Sequence, residues 1–147
     1  MDAPSIKVRF LGTGTSSGVP MIACSCPVCL SNDPHDKRFR SSILVESSKT
    51  TFVIDTTPDF RSQMLIHRVK KLDAVLFTHP HKDHVAGMDD VKAFCYFQSQ
   101  PMKVYANAIT KSALEREFSY VFSDKKYPGV PEIDVIDIDI DAFMVGD

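Results

Sequence analysis

No stretch of the 147 residues is apolar for long enough to cross a bilayer, and the opening Met1-Asp2-Ala3-Pro4 has neither the basic head nor the apolar core of a secretory leader. Membrane insertion and export are not expected, which makes the cytoplasm the default location. An excess of charge of one sign is also missing: 17 Lys and Arg stand against 19 Asp and Glu, a formal net charge of −2. That balance offers no long-range field for nucleic acid or an acidic membrane. Only four cysteines occur, and three crowd at positions 24, 26 and 29, too close for a secreted disulfide framework. Histidine is sparse and one-sided: His35, His67, His79, His81 and His84, with none in residues 85–147. Repeats, low-complexity tracts and a clear second domain are absent. What remains, 44% hydrophobic and 24% charged residues, is the composition of one globular domain over residues 1–147.

The most specific stretch is His79-Pro80-His81-Lys82-Asp83-His84, directly after the apolar run Ala74-Val75-Leu76-Phe77. Side chains two apart on an extended backbone point the same way, so His79 and His81 can share one metal. Asp83 and His84, at the start of a helix, can turn toward a second cation. Imidazole with a hard carboxylate favours zinc, manganese or iron in a hydrolytic centre over an electron-transfer one. The blander alternative, surface histidines after a strand, fails to explain three imidazoles and a carboxylate crowded into six residues.

Two further segments carry chemistry. Cys24-Ser25-Cys26-Pro27-Val28-Cys29 supplies three corners of a tetrahedral zinc site, while an iron–sulfur cluster is a weaker rival. The fourth corner is open, with His35 nearest, His67 another option, and Cys95 better read as a small buried thiol. Residues 12–18, Gly-Thr-Gly-Thr-Ser-Ser-Gly, resemble a phosphate cradle, but Ser17 stands where a dinucleotide fingerprint needs glycine and Val19-Pro20 where a P-loop needs lysine. A tight turn with close backbone passage is the simpler reading.

Periodicity places strands at residues 6–11, 41–46, 51–54, 74–77, 101–106 and 136–141, with the second and third joined as a hairpin through residues 47–50. Helices are expected from Thr57, as N-cap, to about 69, from 85 to about 98, and from an Asn107 cap to about 118. In these helices Phe60, Met64, Leu65 and Val69, then Val91, Phe94, Cys95 and Phe97, are expected to face the core. Arg61 can approach a substrate phosphate but is better read as solvated or paired. The alternation is that of an α/β fold.

The His-x-His-x-Asp-His pattern after a buried strand resembles the signature of the metallo-β-lactamase superfamily. Residues 11–20, the cysteine knuckle, Arg40-Ser41-Ser42, residues 54–61 from Ile54 to Arg61, and Gly87-Met88-Asp89-Asp90 resemble its PhnP-like branch, typified by phosphoribosyl 1,2-cyclic phosphate phosphodiesterase. The resemblance implies a four-layer αββα sandwich, incomplete at its C-terminal side, in which this chain supplies the first sheet and part of the second. It implies two divalent cations, zinc or manganese, one held by His79 and His81 and the other by Asp83 and His84. Asp83 would double as a proton acceptor or donor, and Asp55 at the end of its strand would support a ligand from behind. It implies a structural zinc at Cys24, Cys26 and Cys29, in a knuckle loop over about 12–40, completed in the family by a histidine near the C-terminus that this chain lacks.

The activity implied is hydrolysis of a small phosphodiester, cyclic sugar phosphates first, by a hydroxide held between the two metals. The alternatives are a tRNA 3′-processing-type nuclease, against which the knuckle and the absent basic arm argue, and a non-catalytic metal-binding module. The remaining family ligands would come from beyond residue 147, so the chain is expected to be the N-terminal part of a longer enzyme. By itself it would hold the catalytic metals weakly, and the edge of a half-built sandwich would favour self-association, including a homodimer.

Overall fold

The computed structural model describes residues 5–146, and the Met1-Asp2-Ala3-Pro4 segment read above lies outside them. Strands Lys7–Gly12 (β1), Ser42–Glu46 (β2), Thr51–Ile54 (β3), Ala74–Leu76 (β4), Met102–Ala106 (β5) and Ile133–Asp137 (β6) form one sheet in chain order. The first three pair antiparallel, and β3 through β6 pair parallel. The antiparallel half follows from the short hairpin at residues 47–50, where the Ser47 N–H donates to the Thr50 carbonyl. The parallel half needs crossovers, and right-handed crossovers between strands added in one direction all fall on one face.

Helices Phe60–Ile66 (α2), Lys92–Gln98 (α4) and Ala108–Glu117 (α5) make those crossovers, and the core lies beneath them. Leu44, Val53, Val75 and Val104 line that face of the sheet at 0% exposure, as β-branched and leucine side chains should between a sheet and helices. The mixed α/β architecture expected from the sequence is present, but the chain contributes a single six-stranded sheet. Residues 138–146 form no strand of a second one.

The opposite face is apolar and open. By register it carries Val8, Phe10, Ile43, Val45, Phe52, Ile54, Leu76 and Tyr105, of which Val8 and Phe10 are exposed and Tyr105 is covered by Phe143, their rings stacked at 5.7 Å. β1 thus inverts its simplest reading. Its apolar side is the exposed one, while Arg9 on the inner side bonds the Glu46 carboxylate at 3.1 Å and the His67 carbonyl.

Several helix limits differ from the sequence reading. α2 begins at Phe60, because Thr57 spends its hydroxyl on the Asp59 N–H in a turn before the helix. It stops at Ile66, where Arg68 adopts φ +53° and the Val69 N–H turns back to the Met64 carbonyl. The single helix expected over 85–98 is three pieces: Lys82–Val85 (α3), a 3-10 turn Met88–Val91, and α4. Gly87 sits at the break with its backbone against Thr57, where a Cβ would lie 2.3 Å from the carbonyl oxygen. Leu65 and Phe97, expected in the core, are 60% and 82% exposed. The last strand runs over Ile133–Asp137, earlier than residues 136–141, because it pairs with β5 from Met102 to Ala106.

Candidate functional site

The histidine motif leaves the C-terminal end of β4, beside the C-terminal end of β3, which is where parallel sheets present their ligands. His79 Nε2 lies 3.1 Å from His81 Nδ1, and the rings of His79 and His84 are 4.0 Å apart. His84 Nε2 is 3.2 Å from an Asp83 carboxylate oxygen. The four residues singled out by the pattern are therefore linked pair by pair rather than gathered around one point: among the described residues the cysteine trio is the group whose ligand atoms all lie within 4.8 Å of one another. Asp55 joins them from β3, buried to 4% exposure, with Oδ2 at 2.7 Å from His84 Nδ1.

One residue went unnoticed in the sequence. Thr78 donates its N–H to Asp55 Oδ1 at 2.9 Å and its hydroxyl to Asp55 Oδ2 at 2.8 Å, and that hydroxyl stands 3.0 Å from His79 Nδ1. A hydroxyl has one proton, so having given it to Asp55 it can only accept from His79 Nδ1–H. Asp55 thereby sets two tautomers, that of His84 directly and that of His79 through Thr78, and leaves both Nε2 atoms as lone-pair donors. Asp55 itself takes φ +65°, a conformation that asparagine and aspartate tolerate better than other side chains and that active sites retain. The donor set suits borderline divalent cations such as zinc.

The cysteine loop is a separate centre. Cys24, Cys26 and Cys29 bring their sulfurs within 4.8 Å of one another, and among the described residues no other histidine, cysteine or carboxylate joins the group. His35 turns its Nδ1 to Asp33 at 2.7 Å, and Cys95 donates to the Glu132 carbonyl at 3.4 Å. The short helix Pro27–Leu30 (α1) begins at Cys26, whose sulfur accepts the Cys29 N–H, while the Cys29 sulfur accepts the Met21 N–H. The Cys29 N–H, then contacts with the Cys24 and Cys29 thiols, hold the Cys26 thiol below its usual pKa. At Cys29 the Met21 N–H acts downward, but the Cys24 thiol, burial and Cys26 together carry it upward. Splitting of this kind is what close thiols do when one takes the charge.

Arg40 ties the glycine turn to the start of α2. Its guanidinium bonds both Asp59 oxygens at 3.0 and 3.1 Å and the Ser16 carbonyl at 2.8 Å, and Gln63 donates to its carbonyl. The glycine turn packs on that same segment: a Cβ at Gly14 would lie 2.8 Å from the Arg38 carbonyl oxygen, and the Gly14 N–H donates to Phe39. Close backbone passage therefore accounts for the glycines. Arg61, by contrast, lines a groove between α2 and α4 with Phe94 and Phe97.

A family model described as the beta-lactamase superfamily domain matches residues 50–147. An octanoyltransferase from Porphyromonas gingivalis (strain ATCC BAA-308 / W83) is 42% identical over 144 residues, 97% of this chain but 29% of that protein. A solved structure, a diphosphatase of the PhnP family, matches with a TM-score of 0.86 at 38% identity, over 95% of this chain and 53% of that one. Zn(2+)-bound PqqB from Methylobacterium extorquens matches with a TM-score of 0.65 at 25% identity, over 89% and 46%. The chain thus spans under a third of the curated relative and about half of each solved structure.

Proposed function

The chain belongs to the beta-lactamase superfamily, and from that premise we propose that it is a metal-dependent phosphodiesterase domain whose substrates are small phosphodiesters, cyclic sugar phosphates foremost. The observation that carries this reading is the chain of contacts that joins His81 to His79, His79 to His84 and His84 to Asp83 at the strand ends, with Asp55 bonded to His84 from behind. Divalent cations, zinc or manganese, would be held by His79 with His81 and by Asp83 with His84, and would supply countercharge for a phosphoryl group and acidity that lowers the pKa of water toward neutrality.

The chain's own groups do the rest. Asp55 and Thr78 keep the imidazoles in one tautomer, so their nitrogens need no reorganisation when substrate charge develops. Asp83, with a side chain 23% exposed, would pass a proton to the leaving oxygen. Cys24, Cys26 and Cys29 would hold a structural zinc that fixes their loop. The similarity to a PhnP-family diphosphatase supports phosphoryl chemistry. The octanoyltransferase lends acyl transfer no support, since the match covers only 29% of it. Among the described residues no helix is long and apolar enough to cross a membrane.

Bis(p-nitrophenyl) phosphate and a five-membered cyclic ribose phosphate, each with added manganese or zinc, test the proposal. Metal-dependent cleavage should occur and should fall by roughly 100-fold or more in Asp83→Ala. With two protein ligands per cation among the described residues, it should need metal well above stoichiometric amounts. Hydrolysis of a thioester or lactam with no cleavage of either phosphodiester would overturn the substrate class.

A further inference from the structure

On the helical side of the molecule a groove of about 510 Å³ runs between α2 and α4. Phe60 and Met64 form its buried floor, with Phe94 half-buried beside them. Its margins are Leu65 and Phe97, the two side chains that helical periodicity assigns to the core. Ile66 and Tyr96 stand next to them, also more than half exposed, and the Tyr96 ring meets Phe97 edge-on at 5.2 Å. A contiguous apolar patch holding both a cavity and projecting rings is a surface made to be covered.

We propose that a second copy of this chain covers it, forming a two-fold dimer in which Phe97 of each copy enters the groove of the other. The charges choose this occupant. Arg61 and Lys70 lie on the α2 rim without a carboxylate partner among the described residues. Asp90 lies on the α4 rim, where the neighbouring Lys92 ammonium is bonded to Asp89 at 2.6 Å instead. A two-fold axis running along the groove sets the α2 rim of one copy against the α4 rim of the other, so Arg61 and Lys70 meet the partner's Asp90 twice over. The perpendicular axis would set cation against cation. A uniformly acidic partner would satisfy one rim and be repelled by the other, whereas a patch that is complementary to itself defines an isologous interface. This face lies opposite the open apolar face of the sheet, so it is a second and separate association surface.

Sedimentation velocity on the 147-residue chain, with circular dichroism to confirm folding, decides the matter. A dimer is expected. Phe97→Asp and Leu65→Asp, both at exposed positions, should each raise its Kd by about tenfold or more. Arg61→Glu and Asp90→Arg should each weaken it, and the double reversal should restore it, which only a contact between these two rims can do. A chain that stays monomeric at high concentration overturns the proposal, including one whose groove takes up an apolar dye. So does a dimer that ignores all four substitutions and dissociates instead on Phe10→Asp in the open sheet face.

Discussion

The cysteine loop and the histidine loop are built in opposite ways. Residues 24–29 carry all three thiols of the first, held within 4.8 Å of one another by one turn of helix and two N–H···S hydrogen bonds. The histidine loop meets only pairwise, at 3.1, 3.2 and 4.0 Å, and depends on a carboxylate that arrives from another strand. A local site is closed by its own loop and forms wherever the loop is stapled. A site assembled across strands is only as ordered as the sheet beneath it, but its groups can be supported from behind, as Asp55 supports two imidazoles. The first arrangement suits a structural ion and the second an exchangeable, reactive one.

The largest expected effect breaks the comparison at its stronger end. Replacing Cys24, Cys26 and Cys29 together by serine should remove one tightly held zinc per chain, measured by elemental analysis. It should also cost several kcal/mol of stability, because structural zinc is worth roughly 10–16 kcal/mol to a zinc-finger peptide and here only one loop depends on it. Titrating the wild type with a chelator should strip any metal at the histidine loop before that zinc. Simultaneous loss would mean that the two centres do not differ as described.

Asp55→Asn probes the second region. The amide keeps the shape and tolerates φ +65°, but it cannot accept hydrogen bonds at both oxygens from Thr78 and His84. Metal affinity at the histidine loop should fall about 10–100-fold, by calorimetry, with the cysteine zinc untouched. Unfolding should become easier by on the order of 2 kcal/mol, the loss of a buried charge-assisted contact. Unchanged affinity would make Asp55 a purely structural residue.

The smallest effect concerns the support of the segment after the histidines. Tyr120 donates its hydroxyl to Asp89 at 2.7 Å, and Lys92 donates to the other oxygen. Burial works against the Asp89 carboxylate, but these two donors outweigh it and hold its pKa below the usual carboxylate range, while burial first and then Asp89 raise that of Tyr120. A depressed carboxyl stabilises the fold above its unfolded pKa of about 3.9, and that stability is lost as the pH falls through the lower folded value. Tyr120→Phe should therefore cost about 1 kcal/mol at neutral pH, and the difference from wild type should shrink below about pH 3 in denaturant titrations. A gap that widens on acidification would reverse the sign.

The donors of both candidate metal centres could be picked out in the sequence, since they are close neighbours in the chain and coordination chemistry constrains the spacing of such residues. The first five strands were legible too, because alternation of apolar residues survives any tertiary arrangement, while the sixth was set by its pairing with β5 at Ile133–Asp137 instead of 136–141. Thr78 was not, for a threonine after a strand has no signature until the Asp55 carboxylate is seen against it.

Leu65 and Phe97 show the converse. A period of 3.6 residues marks a face as apolar without saying what lies against it, and here part of that face is turned outward. In the same way β1 announced an alternating strand, but only its pairing with Ser42–Glu46 decided that Arg9 points inward and Val8 and Phe10 outward. Local chemistry and periodicity, then, fixed which residues can bind a metal and which segments are strands. Which side of each element is covered, and which carboxylate orients which imidazole, depends on contacts between residues far apart in the chain, such as Asp55 and His84, and was decided only when the sheet brought them together.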